Sequence, residues 1–171
     1  MASSKSKTSP AKGSAHGKKF GIIVSRYHEE LTQGLLDAAV DTLESLGADK
    51  ADITSIWVPG AFEIPLAARA MLAQHAVDAV LCLGIVIKGE TTHDHYIATE
   101  VARGIAQLNQ MTGTPVVFGV LTTQSMDQAK ARSTGDKSNK GVEAAETAVH
   151  MLDVLEQIKK LPEKKAKGVG F

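Results

Sequence analysis

The sequence predicts an α/β domain in three layers, α/β/α, with a four-stranded parallel sheet covered by helices on both faces. Three observations point there. Four short runs are almost wholly apolar and rich in β-branched residues, as strands buried on both faces must be. Between them lie longer segments whose apolar residues recur every three or four positions, the stripe of a helix laid on a sheet. The two kinds alternate along the chain, the pattern of βαβ units joined by right-handed crossovers.

The first strand is F-G-I-I-V-S-R, from Phe20. Residues 29–47 put Leu35, Leu36, Ala39, Leu43 and Leu46 on one helical face, and Gly47 stops that helix. I-T-S-I-W-V-P over 53–59 is the second strand, ended by Pro59-Gly60. Residues 62–75 read as helical, with Ile64, Ala68, Met71 and His75 along one side. A-V-L-C-L-G-I-V-I over 79–87 is the third and most apolar strand. The helix over 92–111 aligns Ile97, Val101, Ile105 and Leu108, and Gly113 follows it. P-V-V-F-G-V-L-T-T over 115–123 is the fourth strand. S-M-D-Q then opens a short helix with a capping-box pattern, and 132–141 is a loop. The last helix, about 141 to 160, carries Val142, Ala145, Val149, Leu152 and Leu155. It closes on Lys159-Lys160, which suit the negative end of the helix dipole. Met71, Met111 and Met151 fall in helical patterns and read as core. Cys82, mid-strand with no base near it in sequence, reads as a buried thiol.

At 171 residues the chain suits one domain. The expected division is a disordered basic arm over 1–17, a single domain over 18–160 and a basic tail over 161–171. The formal net charge is zero, but residues 1–19 and 158–171 each hold five Lys, with one Glu in the second segment. That leaves nine basic and 18 acidic residues between them, a body of about −9. A nucleic-acid binder places positive charge on its folded part, so nucleic acid is not an expected partner. No apolar run is long enough to span a bilayer, and no membrane association is expected. The single Cys excludes an intrachain disulfide and fits a reducing compartment, so a cytoplasmic location is expected. The Ser- and Lys-rich first residues also have the composition of a short transit peptide.

In open α/β sheets the chemistry collects beyond the carboxyl ends of the strands, so the four ends belong together. At the first, S-R-Y-H, Tyr27 leaves the sheet either as a platform for a planar ligand or as an ordinary turn residue. At the second, V-P-G-A-F-E-I-P, Glu63 either answers the helix dipole or accepts bonds from ligand hydroxyls. The third, V-I-K-G-E-T-T-H-D-H-Y, brings Gly89 to a tight turn. The N–H groups of Glu90, Thr91 and Thr92 then form an anion site at a helix start. The Walker spacing is absent. His93 and His95, two apart, lie about 200° around a helix from one another and do not chelate one metal easily. No metal site is expected. His93 is the candidate for proton transfer near neutral pH, with helix capping as its plainer role. Beyond the fourth strand, Arg132 and Lys140 flank a polar loop. They suit a phosphate, as fork and point charge, or form a solvated basic loop. Taken together the ends describe an aromatic platform, a carboxylate, an anion turn, a His and two cations. That set suits a planar substrate with a small phosphorylated one.

The motifs S-R-Y, P-G-A-F-E-I-P, G-I-V-I-K-G-E-T-T-H-D-H-Y, P-V-V-F-G-V-L-T-T and N-K-G, in this order over about 19–157, resemble the lumazine synthase (6,7-dimethyl-8-ribityllumazine synthase) family. The resemblance implies a transferase of riboflavin biosynthesis. Its two small-molecule substrates are 5-amino-6-(D-ribitylamino)uracil and 3,4-dihydroxy-2-butanone 4-phosphate. Its products are 6,7-dimethyl-8-ribityllumazine, phosphate and water, and it needs no cofactor. It further implies that Tyr27 stacks on the pyrimidine and that Ala61, Phe62 and Glu63 line the ribityl site. Backbone groups of Val86 and Ile87 would bond the pyrimidine edge. Gly89, Glu90 and Thr91 would hold the phosphate with Arg132, and His93 would transfer protons. Phe118, Arg132 and Lys140 would come from the neighbouring subunit of a pentamer, and riboflavin synthase is a candidate partner.

Three positions depart from the family pattern. His28 stands where Asn is frequent, Glu90 sets a carboxylate beside the phosphate turn, and Ala131 stands where some members have an acid able to pair with Arg26. The short 132–141 loop leans toward the shell of twelve pentamers. Rival readings are a riboflavin synthase of the same fold, disfavoured by the phosphate constellation, and a non-catalytic shell or flavin binder. A flavodoxin-like nucleotide binder is disfavoured because S-R-Y-H lacks the glycines of a phosphate loop.

Overall fold

A computed structural model of the chain describes residues 10–135 and 138–162. Four strands, β1 (Phe20–Ser25), β2 (Ile53–Val58), β3 (Ala79–Ile87) and β4 (Val116–Thr123), form one parallel sheet in the order β2-β1-β3-β4. Five helices flank it: α1 (Glu29–Ser45), α2 (Ile64–Gln74), α3 (His93–Thr112), α4 (Met126–Ser133) and α5 (Lys140–Lys159). The three-layer α/β/α expectation holds. The pleat sends alternate side chains to opposite faces. Ile22, Val24, Leu81, Leu83 and Ile85 meet α1, α4 and α5, while Ile23, Val80, Cys82 and Val120 meet α2 and α3.

The central strands β1 and β3 are buried, as their continuous apolar runs require. β2 is an edge strand, and Thr54, Ser55 and Ile56 are exposed. β4 is the other edge, and its free backbone is partly answered by a side chain. Asn109 of α3 donates Nδ2 to the Val116 carbonyl at 2.8 Å and accepts the Val116 N–H on Oδ1 at 2.8 Å. Its amide thus stands in for one residue of a missing neighbouring strand, where an unpaired edge is otherwise open to pairing.

Several expectations are corrected. His75 is not on the buried side of α2; the helix ends at Gln74 and His75 is exposed. Met111, 77% exposed, and Met151 are not core, and only Met71 is buried. Apolar spacing could not tell a core stripe from the flank of a helix that overhangs the sheet. Residues 12–17, expected within the basic arm, form turns docked on the end of α1. The Gly13 and Ala15 N–H groups donate to the Leu46 carbonyl at 2.9 and 3.1 Å, and Ala15 is fully buried. Gly47 makes this approach feasible: its φ is 105°, and a Cβ there would stand 3.0 Å from the Gly13 Cα. Lys18 then pairs with Glu156 of α5, and this bond raises the lysine pKa and lowers that of the carboxyl. Residues 1–9 of the arm and 163–171 of the tail lie outside the described residues.

Two predictions follow from these contacts. Asn109→Ala should cost about 2 kcal/mol in denaturant unfolding, because it strips both bonds from a buried edge residue; a loss below ~0.5 kcal/mol would refute the strand-mimic role. His28 enters α1 in the left-handed region, at φ 63° and ψ 47°, where Asn, Asp and His are the non-glycine residues most often found. His28→Gly should leave stability unchanged or higher, whereas His28→Val should lower it by about 1–2 kcal/mol. Equal effects of the two would show that the corner carries no strain.

Candidate functional site

The geometry of the site begins with unequal strands. β1 pairs with β3 only as far as Val24 and Leu83, while β3 continues to Ile87 with β4 alone beside it. Gly84, Ile85, Val86 and Ile87 therefore overhang, with no β1 ladder on one side. The chain leaves β1 sharply. The Arg26 N–H donates to the Val58 carbonyl at 2.8 Å, Thr32 Oγ1 donates to the Ser25 carbonyl at 2.8 Å, and His28 makes the left-handed corner. The guanidinium of Arg26 lies 5.3 Å over the Trp57 ring and pairs with Glu29 at 3.1 Å. Between two clamped neighbours Tyr27 stands out, 69% exposed, with its ring edge-on to His28 at 5.0 Å.

Ala61–Glu63 forms a 3-10 turn between β2 and α2, packed against β1, β3 and α3. Ala61 is buried, and Phe62 and Glu63 are exposed. Glu63 reaches back so that Oε2 accepts the Gly60 N–H at 2.9 Å. The carboxylate is thus held by the backbone in the plainer capping role, with Oε1 left for another donor. This contact also fixes the turn that carries Phe62. Below the turn the Ser25 hydroxyl is fully buried beside Gly84 and Ile64, with no hydrogen-bond partner among the described residues.

After β3 the Lys88 N–H still bonds the Thr123 carbonyl, at 2.9 Å. Gly89, Glu90, Thr91 and Thr92 then pass exposed into α3. The tight-turn argument for Gly89 fails locally: its φ is not positive, and nothing lies within 4 Å of a Cβ built there. Thr92 offers no side-chain cap to α3, so the first N–H groups of the helix face outward. His93 is the first residue of that helix and is exposed, as is His95, whose ring stacks edge-on with Tyr96. Among the described residues no three His, Cys, Asp or Glu side chains cluster as a metal site would need. Cys82 is fully buried and desolvation drives its thiol pKa far upward, so it stays protonated.

The other three predicted residues lie together and apart from these. Phe118 of β4, Arg132 of α4 and Lys140 of α5 line one groove of about 610 Å³ along the β4 edge, with Asn109, Glu143 and Met151. None of Tyr27, Phe62, Glu63, Gly89 or His93 lines it. Phe118 is 44% exposed although it shares a pleat face with buried Val116 and Val120. Arg132 donates Nη1 to the Gln128 carbonyl at 3.0 Å, and Lys140 pairs with Glu143 at 2.5 Å. The candidate residues thus fall into two groups: a strand-end shelf with ring, carboxylate, free N–H groups and His, and a groove with ring and two cations.

Asn139 carries a role that its place in the sequence did not mark. It is buried and bonds three helices, though only its cap on the Gly141 N–H at 2.8 Å was legible from its place before a helix. The capping box at Ser125 is real but shifted: Ser125 caps Gln128, while the Gln128 side chain accepts the N–H of Gln124. No described helix is long and apolar enough to cross a membrane.

A family model described as 6,7-dimethyl-8-ribityllumazine synthase matches residues 17–156, from the docked turn before β1 through most of α5. The chain belongs to the 6,7-dimethyl-8-ribityllumazine synthase family, enzymes of riboflavin biosynthesis.

Proposed function

We propose that the chain condenses 5-amino-6-(D-ribitylamino)uracil with 3,4-dihydroxy-2-butanone 4-phosphate to give 6,7-dimethyl-8-ribityllumazine, phosphate and water. The observation that carries this reading is the division of the site. The two cations and Phe118 share a groove that the remaining site residues do not reach. A family whose site forms between subunits requires such a division, and a homo-oligomer, with the pentamer as its unit, supplies the second half.

In this reading the ring of Tyr27 stacks on the pyrimidine and the overhanging backbone of Val86 and Ile87 bonds its edge. The unpaired stretch of β3 suits this, since its polar groups have no β1 partner. Phe62 and Ala61 line the ribityl chain, and the free oxygen of Glu63 accepts its hydroxyls. The amine attacks the ketone to form an imine and expels water. Phosphate then leaves by elimination, and ring closure expels water again. Each step moves protons near neutral pH, which suits an exposed His93 at the mouth of the turn. The leaving phosphate meets the N–H groups of Gly89, Glu90 and Thr91 at an uncapped helix start, with Arg132 and Lys140 from the neighbouring chain. The exposed side chain of Glu90 is free to face away while its N–H is used. Much of the rate enhancement then falls to holding two reactants together.

Lumazine absorbance and phosphate release, followed together with a chelator present, test the reading. Both should appear above the uncatalysed rate. Arg132→Ala should lower kcat/KM by about 10–10²-fold, the worth of a charge-assisted pair. His93→Ala should lower kcat by no more than about 10²–10⁴-fold. Two impaired variants, one in each half of the site, should complement when co-assembled, because an intact site needs one half from each chain. A random equal mixture of His93→Ala and Arg132→Ala subunits should recover about a quarter of full activity. No recovery in verified mixed oligomers would refute a shared site.

A further inference from the structure

We propose that Asn139 is a positioning residue that sets the spacing of Arg132 and Lys140 and, through them, the hold on the phosphoryl group. This rests on the function proposed above. Asn139 is 4% exposed, and its amide makes three hydrogen bonds. Nδ2 donates to the Ser133 carbonyl at 2.8 Å and to the Gly34 carbonyl at 3.0 Å, and Oδ1 accepts the Gly141 N–H at 2.8 Å. These partners belong to α4, α1 and α5 in turn. Ser133 directly follows Arg132, and Lys140 directly follows Asn139, so the amide is bonded one residue from each cation.

The three helices touch here without side-chain spacers. A Cβ at Gly34 would stand 2.4 Å from the Ser133 carbonyl oxygen, and one at Gly141 would stand 2.0 Å from the Leu35 carbonyl oxygen. Among the described residues each cation is tied within its own helix, Arg132 to the Gln128 carbonyl and Lys140 to Glu143. No bond within α4 or α5 sets their separation. The junction does, and the Asn139 amide is its buried polar link. The chemistry of the amide is selective. Asp has no donor for the two carbonyls, and a Ser hydroxyl has one donor where two are needed. A shift of about 1 Å at a phosphoryl clamp is enough to be felt in catalysis.

The experiment compares wild type with Asn139→Ala and Asn139→Ser. The serine variant keeps a capping oxygen for Gly141 and removes the links to α1 and α4, so it serves when the alanine variant does not fold. With the two substrates varied separately, KM for the butanone phosphate should rise about tenfold, while KM for the ribitylaminouracil stays within about twofold. Inhibition by inorganic phosphate should weaken by the same factor. In a background carrying Arg132→Ala and Lys140→Ala, the effect of Asn139→Ser on phosphate inhibition should vanish, as coupled positions require. Equal rises in both KM values, or a loss that persists without the two cations, overturns the inference and leaves Asn139 purely structural. When wild type makes no lumazine, the proposed function fails instead. Calorimetric binding of inorganic phosphate to wild type and Asn139→Ser then decides the positioning role. Equal binding, or none to wild type, overturns it.

Discussion

β3 runs past the end of β1, and the shape of the strand-end shelf depends on that step. Pairing between the two stops at Leu83, and four residues, Gly84 to Ile87, continue against β4. At about 3.3 Å per residue the overhang is roughly 13 Å long, the length of a bicyclic ring with a short side chain. What produces it is the sharp exit of β1 at Ser25, held by the Thr32 hydroxyl and the left-handed corner at His28. A more gradual exit would pair Val86 and Ile87 with β1, leaving no free backbone for a ligand edge and no opening above which Ala61–Glu63 could sit.

The cations are held lightly. In the isolated chain Lys140 pairs with Glu143, an exposed contact three residues along the same helix. Such pairs are worth about 0.3–0.5 kcal/mol, far less than a charge-assisted bond to phosphate. Lys140 can therefore exchange partners at little cost. Glu143 also keeps the groove from holding two uncompensated positive charges beforehand. The acidic balance of the body makes these cations scarce local features, so their placement matters more than their number.

The helices on the α1 side approach at backbone distance. Gly34 and Gly141 leave room for the carbonyls of Ser133 and Leu35, and Asn139 fills the junction with hydrogen bonds in place of apolar contact. An apolar wedge would have separated the helices by a side-chain thickness. Backbone-to-backbone packing has little slack, because a void or a clash appears at once on either side of the fitted distance. The same economy recurs at Gly104, where a Cβ would meet Pro65 at 2.8 Å, and it sets α3 close to α2 at the opposite face of the sheet.

Four apolar runs and the stripes between them determined the sheet, the helices and their order, because burial on both faces leaves few alternatives for such patterns. The motifs at the strand ends also singled out Tyr27, Glu63, His93, Arg132 and Lys140 as candidates, since residue type and local turn suffice to name a candidate. Tertiary structure decided which of them meet. Phe118 and Tyr27 are both rings in or next to an apolar strand, yet one lines the β4 groove and the other stands on the shelf beyond β1. It also decided that His75, Met111 and Met151 are exposed, that Ala15 is buried, and that Asn139 is a three-helix link as well as a cap. Periodicity reports which face of an element is apolar. It does not report how far a neighbouring element extends to cover that face, nor which distant carbonyls converge on one amide, because both depend on contacts between segments far apart in the chain.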